Sequence, residues 1–175
     1  MIDLGLPSGT KWACCNVGAD KPEAYGCYYA WGETEEKKVY DYDTYKYYKD
    51  GEFVDIGSDI AGTQYDVAHV KWGGGWRMPT EVQIDELFDN CTYLWTTFNG
   101  VEGGKFTSEK NGKSIFLPAA GEVDLKGTLV VYWSSIQKNG FAACLYFDGG
   151  IAYGIAHSCG GEACPFGMPV RPVSK

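Results

Sequence analysis

Pro79-Thr80-Glu81-Val82-Gln83-Ile84-Asp85-Glu86-Leu87-Phe88-Asp89-Asn90-Cys91 decides the fold class of this chain. Thr80 and Gln83 stand at the spacing of a T-x-x-Q capping box, in which the hydroxyl takes an amide of the first turn and the glutamine reaches back. Ile84, Leu87, Phe88 and Cys91 recur at helical spacing, with Asp85, Glu86, Asp89 and Asn90 on the opposite side. The pattern predicts a helix from about Glu81 to Asn90 with its apolar stripe on a sheet. Around it the chain reads as short strands punctuated by turns. Candidates are Gly26 to Trp31, Val131 to Ser134, Ala143 to Phe147, Ile151 to Ala156 and Met168 to Val173. Asn-Gly recurs at Asn99-Gly100, Asn111-Gly112 and Asn139-Gly140. The middle one lies between Lys105-Phe106-Thr107 and Ser114-Ile115-Phe116-Leu117, which predicts a hairpin closed by a type I′ turn. The pattern is mainly short strands punctuated by turns, with one clear helix.

The chain has 175 residues, of which 45% are hydrophobic and 15% aromatic, enough for a sizeable core in a single domain spanning 1–175. Lys plus Arg number 15 and Asp plus Glu 23, a net charge of −8. That balance argues against a nucleic-acid partner, because phosphate binding relies on clustered Lys and Arg. No apolar run approaches the ~20 residues that cross a bilayer, so membrane insertion is not expected. Met1-Ile2-Asp3 does not begin a signal peptide.

Seven cysteines (Cys14, Cys15, Cys27, Cys91, Cys144, Cys159, Cys164) stand beside 24 glycines. An odd count leaves a thiol over from any complete set of disulfides, and no C-x-x-C occurs. Cys15 and Cys91 read either as a buried pair or as a disulfide. His157-x-Cys159-x4-Cys164 is the one segment with metal-like spacing, and small residues sharing a segment explain it as well. No metal or other cofactor is expected.

The search for catalytic residues finds little. The histidines are His69 and His157, and G-x-S-x-G, a Walker loop and H-E-x-x-H are all missing from the sequence. Gly73-Gly74-Gly75 lies between Trp72 and Trp76 and does not follow an apolar strand, which points to tight backbone packing between tryptophans rather than a phosphate cradle. Asp41-x-Asp43 lacks the remaining ligands of a calcium loop. From Lys37 to Tyr65, tyrosines 40, 42, 45, 47 and 48 alternate with charged residues. The stretch reads as a long loop pinned by its own tyrosines or as an exposed aromatic platform for a sugar. No enzyme is expected.

Several blocks resemble one family. Asp3-Leu4-Gly5-Leu6-Pro7-Ser8-Gly9-Thr10-Lys11-Trp12-Ala13 and Cys15-Asn16-Val17-Gly18-Ala19 resemble the opening of the major-paralogous-domain family. Ala30-Trp31-Gly32-Glu33-Thr34, Trp72-Gly73-Gly74-Gly75-Trp76-Arg77-Met78-Pro79-Thr80, Ser114-Ile115-Phe116-Leu117-Pro118-Ala119-Ala120-Gly121, Tyr132-Trp133-Ser134-Ser135 and Val170-Arg171-Pro172-Val173 continue the likeness. That family is related to C-type-lectin-fold and formylglycine-generating-enzyme-like proteins. The resemblance implies an α+β domain of C-type lectin-like (formylglycine-generating-enzyme-like) fold: twisted antiparallel strands, one or two helices and long loops.

Between those blocks one segment departs from the rest. Gly140 to Pro165 is 26 residues long and contains a single Lys, Glu, Gln, Met or Trp, namely Glu162. Residues 1–139 contain 33 of these types, so a proportional share would be about six. The five types have in common that no codon ending in C encodes them. Asparagine AAC codons randomised at their adenines yield Ile, Ala, Tyr, Gly, His, Ser, Cys and Phe but none of the five. The chain is similar in this to C-type-lectin-fold variable proteins of diversity-generating retroelements, whose variable region precedes the last strand. A half-buried, turn-rich segment that is poor in charge for packing reasons would look alike. The resemblance implies a non-enzymatic ligand- or receptor-binding domain with a variable region at about 129–164. Its candidate ligand-binding residues are Ile136, Phe141, Ala143, Ile151, Tyr153, Ile155, His157, Cys159 and Ala163. The core beneath them is expected to rest on Trp133, Leu145, Phe147 and Val170.

The expected partner is a protein or carbohydrate on a cell surface, and the expected location is extracellular, cell-surface or virion-associated. A non-diversified adhesion or structural module of the same family is the alternative. A copper-dependent formylglycine-generating-type oxidase is a second. Cys159-x4-Cys164 has the spacing of that enzyme's cysteine pair, but Gly160-Gly161-Glu162-Ala163 stands where Arg and Tyr are expected.

Overall fold

The computed structural model describes residues 1–138, 141–147 and 164–175. The described chain is α+β, with ten strands paired only antiparallel and two helices. In chain order these are β1 Ile2–Asp3, β2 Lys11–Trp12, β3 Tyr48–Lys49, β4 Glu52–Phe53, α1 Val67–Trp72, α2 Glu81–Asn90, β5 Cys91–Phe98, β6 Val101–Ser108, β7 Ser114–Pro118, β8 Val130–Lys138, β9 Phe141–Phe147 and β10 Val173–Ser174. The sheets are small, ordered β1-β2-β10, β3-β4, β5-β6-β7 and β8-β9.

Helix α2 covers the residues that its capping box and stripe predict. The Thr80 hydroxyl accepts the Gln83 amide at 3.3 Å, and Gln83 Oε1 accepts the Thr80 amide at 3.0 Å. Gln83 Nε2 then donates to the Thr80-distant Thr10 hydroxyl at 2.9 Å, which ties the helix start to the N-terminal segment. Ile84, Leu87 and Cys91 are buried on one side. Burying Ile84 and Leu87 contributes roughly 1.5–3 kcal/mol each.

The β5–β6 hairpin turns at Asn99-Gly100, where φ is +49° and +84° and Phe98 faces Val101. Two consecutive positive φ angles are what a type I′ turn requires. The predicted site of such a turn, Asn111-Gly112, does join paired strands, with Thr107 opposite Ser114. Its loop is longer, however, and only Gly112 has a positive φ. Ser108 Oγ accepts the Lys110 and Asn111 amides, and Asn111 Oδ1 accepts the Lys113 amide, so side chains replace the tight turn. Of the other strand candidates, Gly26 to Trp31 makes only an isolated bridge, Tyr29 with Met168, while Met168 to Val173 enters a strand only at Val173, which opens β10 and also bridges Arg77. Ile151 to Ala156 lies outside the described residues.

The β8–β9 hairpin is buried on both faces. Val130, Tyr132, Ala143, Leu145 and Phe147 enter one core cluster with Ile84, Leu87 and Phe106. Val131, Trp133, Ala142 and Cys144 enter a second with Trp31, Ile60, Met78 and Val170. A strand apolar on both sides reads as a continuous apolar run, as Val130-Val131-Tyr132-Trp133 and Ala142-Ala143-Cys144-Leu145 do. Trp133, Leu145, Phe147 and Val170, the expected core, are all buried. Trp133 Nε1 donates to Tyr29 O at 2.7 Å and Trp31 Nε1 to Ser134 O at 3.0 Å, so both indoles are satisfied while buried.

A polar network closes the domain between its first and last segments. Arg171 is fully buried; its Nε donates to Asn16 Oδ1 at 2.7 Å and its Nη1 to Ala13 O at 3.2 Å. Asn16 Nδ2 donates to Tyr25 O and to the Tyr132 hydroxyl, and that hydroxyl donates to Pro118 O at 2.9 Å. Replacing Arg171 with leucine strands both acceptors in a dry interior, at about 1–3 kcal/mol each. Urea denaturation is expected to show a loss of about 2–5 kcal/mol for Arg171→Leu, against about 1 kcal/mol for the helix-cap variant Thr80→Ala.

Candidate functional site

The candidate binding segment starts from the end of β8 and the length of β9 and returns to the described chain at Cys164. Register shifts between Trp133 and Gln137, so a bulge turns the end of β8 away from the regular ladder. Beyond it the strand leans on residues 57–60. Ile60 N donates to Ser135 O at 3.0 Å, Gln137 N donates to Ser58 O at 2.9 Å, and Asp59 bridges Ile136. Ser135 N donates to Pro79 O at 2.8 Å, tying the same point to the entrance of α2.

The return is equally fixed. Cys164 is buried, and its carbonyl accepts the Trp31 amide at 2.9 Å. Burial pushes the Cys164 thiol up to about 12, which keeps it protonated and unreactive. Trp133 N then donates to Pro169 O, and Tyr29 and Met168 exchange backbone hydrogen bonds.

Of the candidate ligand-binding residues, Ile136 and Phe141 are half-buried at the end of the hairpin, Ile136 packed against the first core cluster and bridged to Asp59. Ala143 is different: only 6% exposed, it packs in the core cluster of Leu145 and Phe147 and offers nothing to a ligand from outside. The middle of β9 is buried on both faces, with Ala143 and Leu145 in one core cluster and Ala142 and Cys144 in the other, so neither face there meets solvent. Ile151, Tyr153, Ile155, His157, Cys159 and Ala163 lie outside the described residues.

The tyrosine-rich loop is pinned mainly by its own side chains. Tyr45 is buried, and its hydroxyl donates to Trp31 O at 2.8 Å. Tyr40 donates to Tyr28 O at 2.6 Å while accepting the Lys37 amide. Tyr42, Tyr48 and Phe53 pack ring on ring, at centroid distances of 4.8 Å and 5.1 Å about Tyr48. β3 and β4 form a short hairpin there, which periodicity did not suggest. A cleft of about 350 Å³ remains beside the loop, lined by Glu33, Thr34, Lys46, Tyr47, Gln64 and Tyr65 among others. Its charged groups largely satisfy one another: Glu33 Oε1 accepts Lys37 Nζ at 2.9 Å and the Lys46 amide at 2.8 Å, and Lys46 Nζ sits 5.6 Å from the Tyr47 ring centre. Tyr47 touches Tyr45, which bonds Trp31, which in turn holds Cys164, so the cleft is mechanically joined to the return of the candidate segment.

Among the described residues no group of three or more His, Cys, Asp or Glu side chains could hold a metal. Asp41 Oδ1 instead accepts the Thr44 amide at 2.8 Å and closes a turn. Gly73 and Gly74 have φ of +66° and +57° with open space where a Cβ would stand. Backbone conformation demands them, then, rather than the close tryptophan packing expected from sequence; Trp72 and Trp76 meet edge to face at 5.2 Å. Gly73 is also the C-cap of α1, a six-residue helix that the sequence reading did not anticipate. Its signal was Asp66, whose Oδ1 accepts the Ala68 and His69 amides and whose Oδ2 accepts those of Gly62 and Met78. Cys15 and Cys91 are free thiols, as are Cys14, Cys27 and Cys164, while Cys144 is disulfide-bonded.

Comparison of the chain with protein-family models, with curated proteins and with solved structures finds no match.

The placement of β9 separates surface from core within a few residues. Phe141→Ser is expected to cost less than about 1 kcal/mol in urea denaturation, as exposed or half-exposed changes do. Leu145→Ser should cost more than about 3 kcal/mol, because it opens a cavity and buries a hydroxyl. Equal costs would place Phe141 in the core.

Proposed function

We propose that this chain is a non-enzymatic ligand- or receptor-binding domain of C-type lectin-like fold, its C-terminal surface diversified by retroelement mutagenesis. The observation that carries the reading is the composition of Gly140 to Pro165, with one Lys, Glu, Gln, Met or Trp in 26 residues. The bulged end of β8 and the buried Cys164 support it physically, because they fix both ends of the segment on the core. A rigid frame lets exposed residues between two anchors change at small cost, and a few exposed aromatic or apolar groups then set specificity. Ile136 and Phe141 form the described rim of that surface, and Tyr153, Ile155 and His157 are its proposed anchors.

The partner in this reading is a protein or carbohydrate on a cell surface, met by an extracellular, cell-surface or virion-borne domain. The binding surface makes no chemical change to its ligand. The small sheets joined by long loops and the two helices suit the C-type lectin-like architecture, in which most of the chain is scaffold.

Sequencing the surrounding DNA tests the reading directly. The expected result is a second, near-identical copy of the segment encoding this region, differing only opposite adenines, beside a reverse-transcriptase gene. A locus without a template copy, with differences between isolates scattered over third codon positions, contradicts diversification and leaves a constant adhesion module.

A further inference from the structure

Two adjacent thiols, Cys14 and Cys15, lie in the segment that follows β2. Cys14 is exposed and Cys15 is 8% exposed, and the Cys14 thiol donates to Cys15 Sγ at 3.9 Å. The backbone on either side cannot drift: Ala13 N donates to Pro172 O at 2.9 Å, and Val17 N to Val170 O at 3.0 Å.

Arg171 brackets this dipeptide. Its guanidinium bonds Ala13 on one side of the cysteines and Asn16 on the other, while its Nη2 has no hydrogen-bond partner although fully buried. None of its hydrogen-bond partners is a carboxylate; the acidic groups that act on its charge are Tyr132, Cys15 and Cys14. Burial and the neighbouring Cys14 push the Cys15 thiol up, and Arg171 pulls it the other way. Cys15 therefore rests as a neutral thiol.

A disulfide is a poor outcome for this pair. Adjacent Cα atoms are about 3.8 Å apart, below the roughly 4.4 Å that an unstrained disulfide needs. Strained disulfides are the readily reduced ones, so a thiol buffer keeps the pair as a dithiol. Thiophilic centres that accept two sulfurs without joining them escape that constraint. Cys14 also lines a groove of about 300 Å³ whose walls include Ile2, Phe98, Ile115 and Phe116, with Thr96, Lys105 and Ser114 among its polar residues, a volume that takes an apolar substituent such as a phenyl ring.

We propose that Cys14 and Cys15 form a chelating site for trivalent organoarsenicals, with the organic substituent in the groove. In the step, each thiol sulfur displaces one hydroxyl of an arsonous acid. Two S–As bonds form, two As–O bonds break, and the two thiol protons leave with the hydroxyls as two waters. Arsenic stays trivalent and no oxidant or reductant is consumed. This site is independent of the ligand surface proposed above.

The full chain is treated with phenylarsine oxide, then challenged with excess glutathione, and the adduct is located by intact mass and peptide mapping. The expected result is one glutathione-resistant adduct on the peptide holding residues 14 and 15, removed by a small dithiol such as dimercaptopropanol. Cys14→Ser is exposed and leaves the core intact, so it alone carries the test; it should abolish the resistant adduct, and Cys27→Ser should retain it. Absence of a resistant adduct on the wild-type chain, its persistence in Cys14→Ser, or its location on other cysteines overturns the proposal.

Discussion

The hydrogen bonds of one buried cation hold the first and last parts of the chain together. Arg171 reaches Ala13 and Asn16, and Asn16 reaches Tyr132, whose hydroxyl ends on Pro118. Four stretches distant in sequence therefore meet at one point. Hydrogen bonds to a charged group are worth about 1.5–3 kcal/mol each, but taking the guanidinium out of water costs several kcal/mol, so the net gain is small. The network's contribution is selective: a pairing that misplaces Asn16 or Tyr132 leaves a buried charge unmet. It sets which segments adjoin, and β1, β2 and β10 then pair around Trp12.

On that closure rests the double-faced β8–β9 hairpin. It divides the interior into two clusters, one under α2 and the β5-β6-β7 sheet, the other under the tyrosine loop and α1. Few substitutions within it are free on either face, whereas its far end, past the bulge at Trp133 to Gln137, loses that double constraint. In the proposed reading, the contrast between a tightly held base and a less buried end is what lets a binding surface vary while the fold does not.

Much of this was legible in the sequence where local signals agreed. Helix α2 was readable because its cap, its stripe and its polar side all point to one answer. The core role of Trp133, Leu145, Phe147 and Val170 followed from apolar runs that only burial explains. The rest depended on tertiary context. Cys91-Thr92-Tyr93-Leu94-Trp95-Thr96-Thr97-Phe98 forms β5 without clean alternation, because Leu94 is exposed and Trp95 is half-buried on a partly open sheet. Helix α1 is too short to show a period, and its start is written only in Asp66. The type I′ turn went to Asn99-Gly100 rather than Asn111-Gly112, since Ser108 holds the second loop open. Ala143 shares the composition of residues 140–165, but the middle of β9 is buried on both faces and holds it inside. For most of the candidate site, 151–163, legibility came from codon-level bias, which carries no geometry.

The central claim is that the scaffold tolerates replacement of its C-terminal surface. Its most direct test randomises Ile151, Tyr153, Ile155, His157 and Ala163 together in a displayed library and measures thermal unfolding of unselected members. Surface changes cost within about 0.5 kcal/mol each, and 1 kcal/mol moves the midpoint of a chain this size by roughly 2–4 °C. The expected result is that most members unfold cooperatively within about 10 °C of the parent, whereas a matched library at Val131, Trp133 and Leu145 yields few folded members. Wholesale unfolding of the first library, on the scale of the second, would contradict the claim and make these residues part of the core.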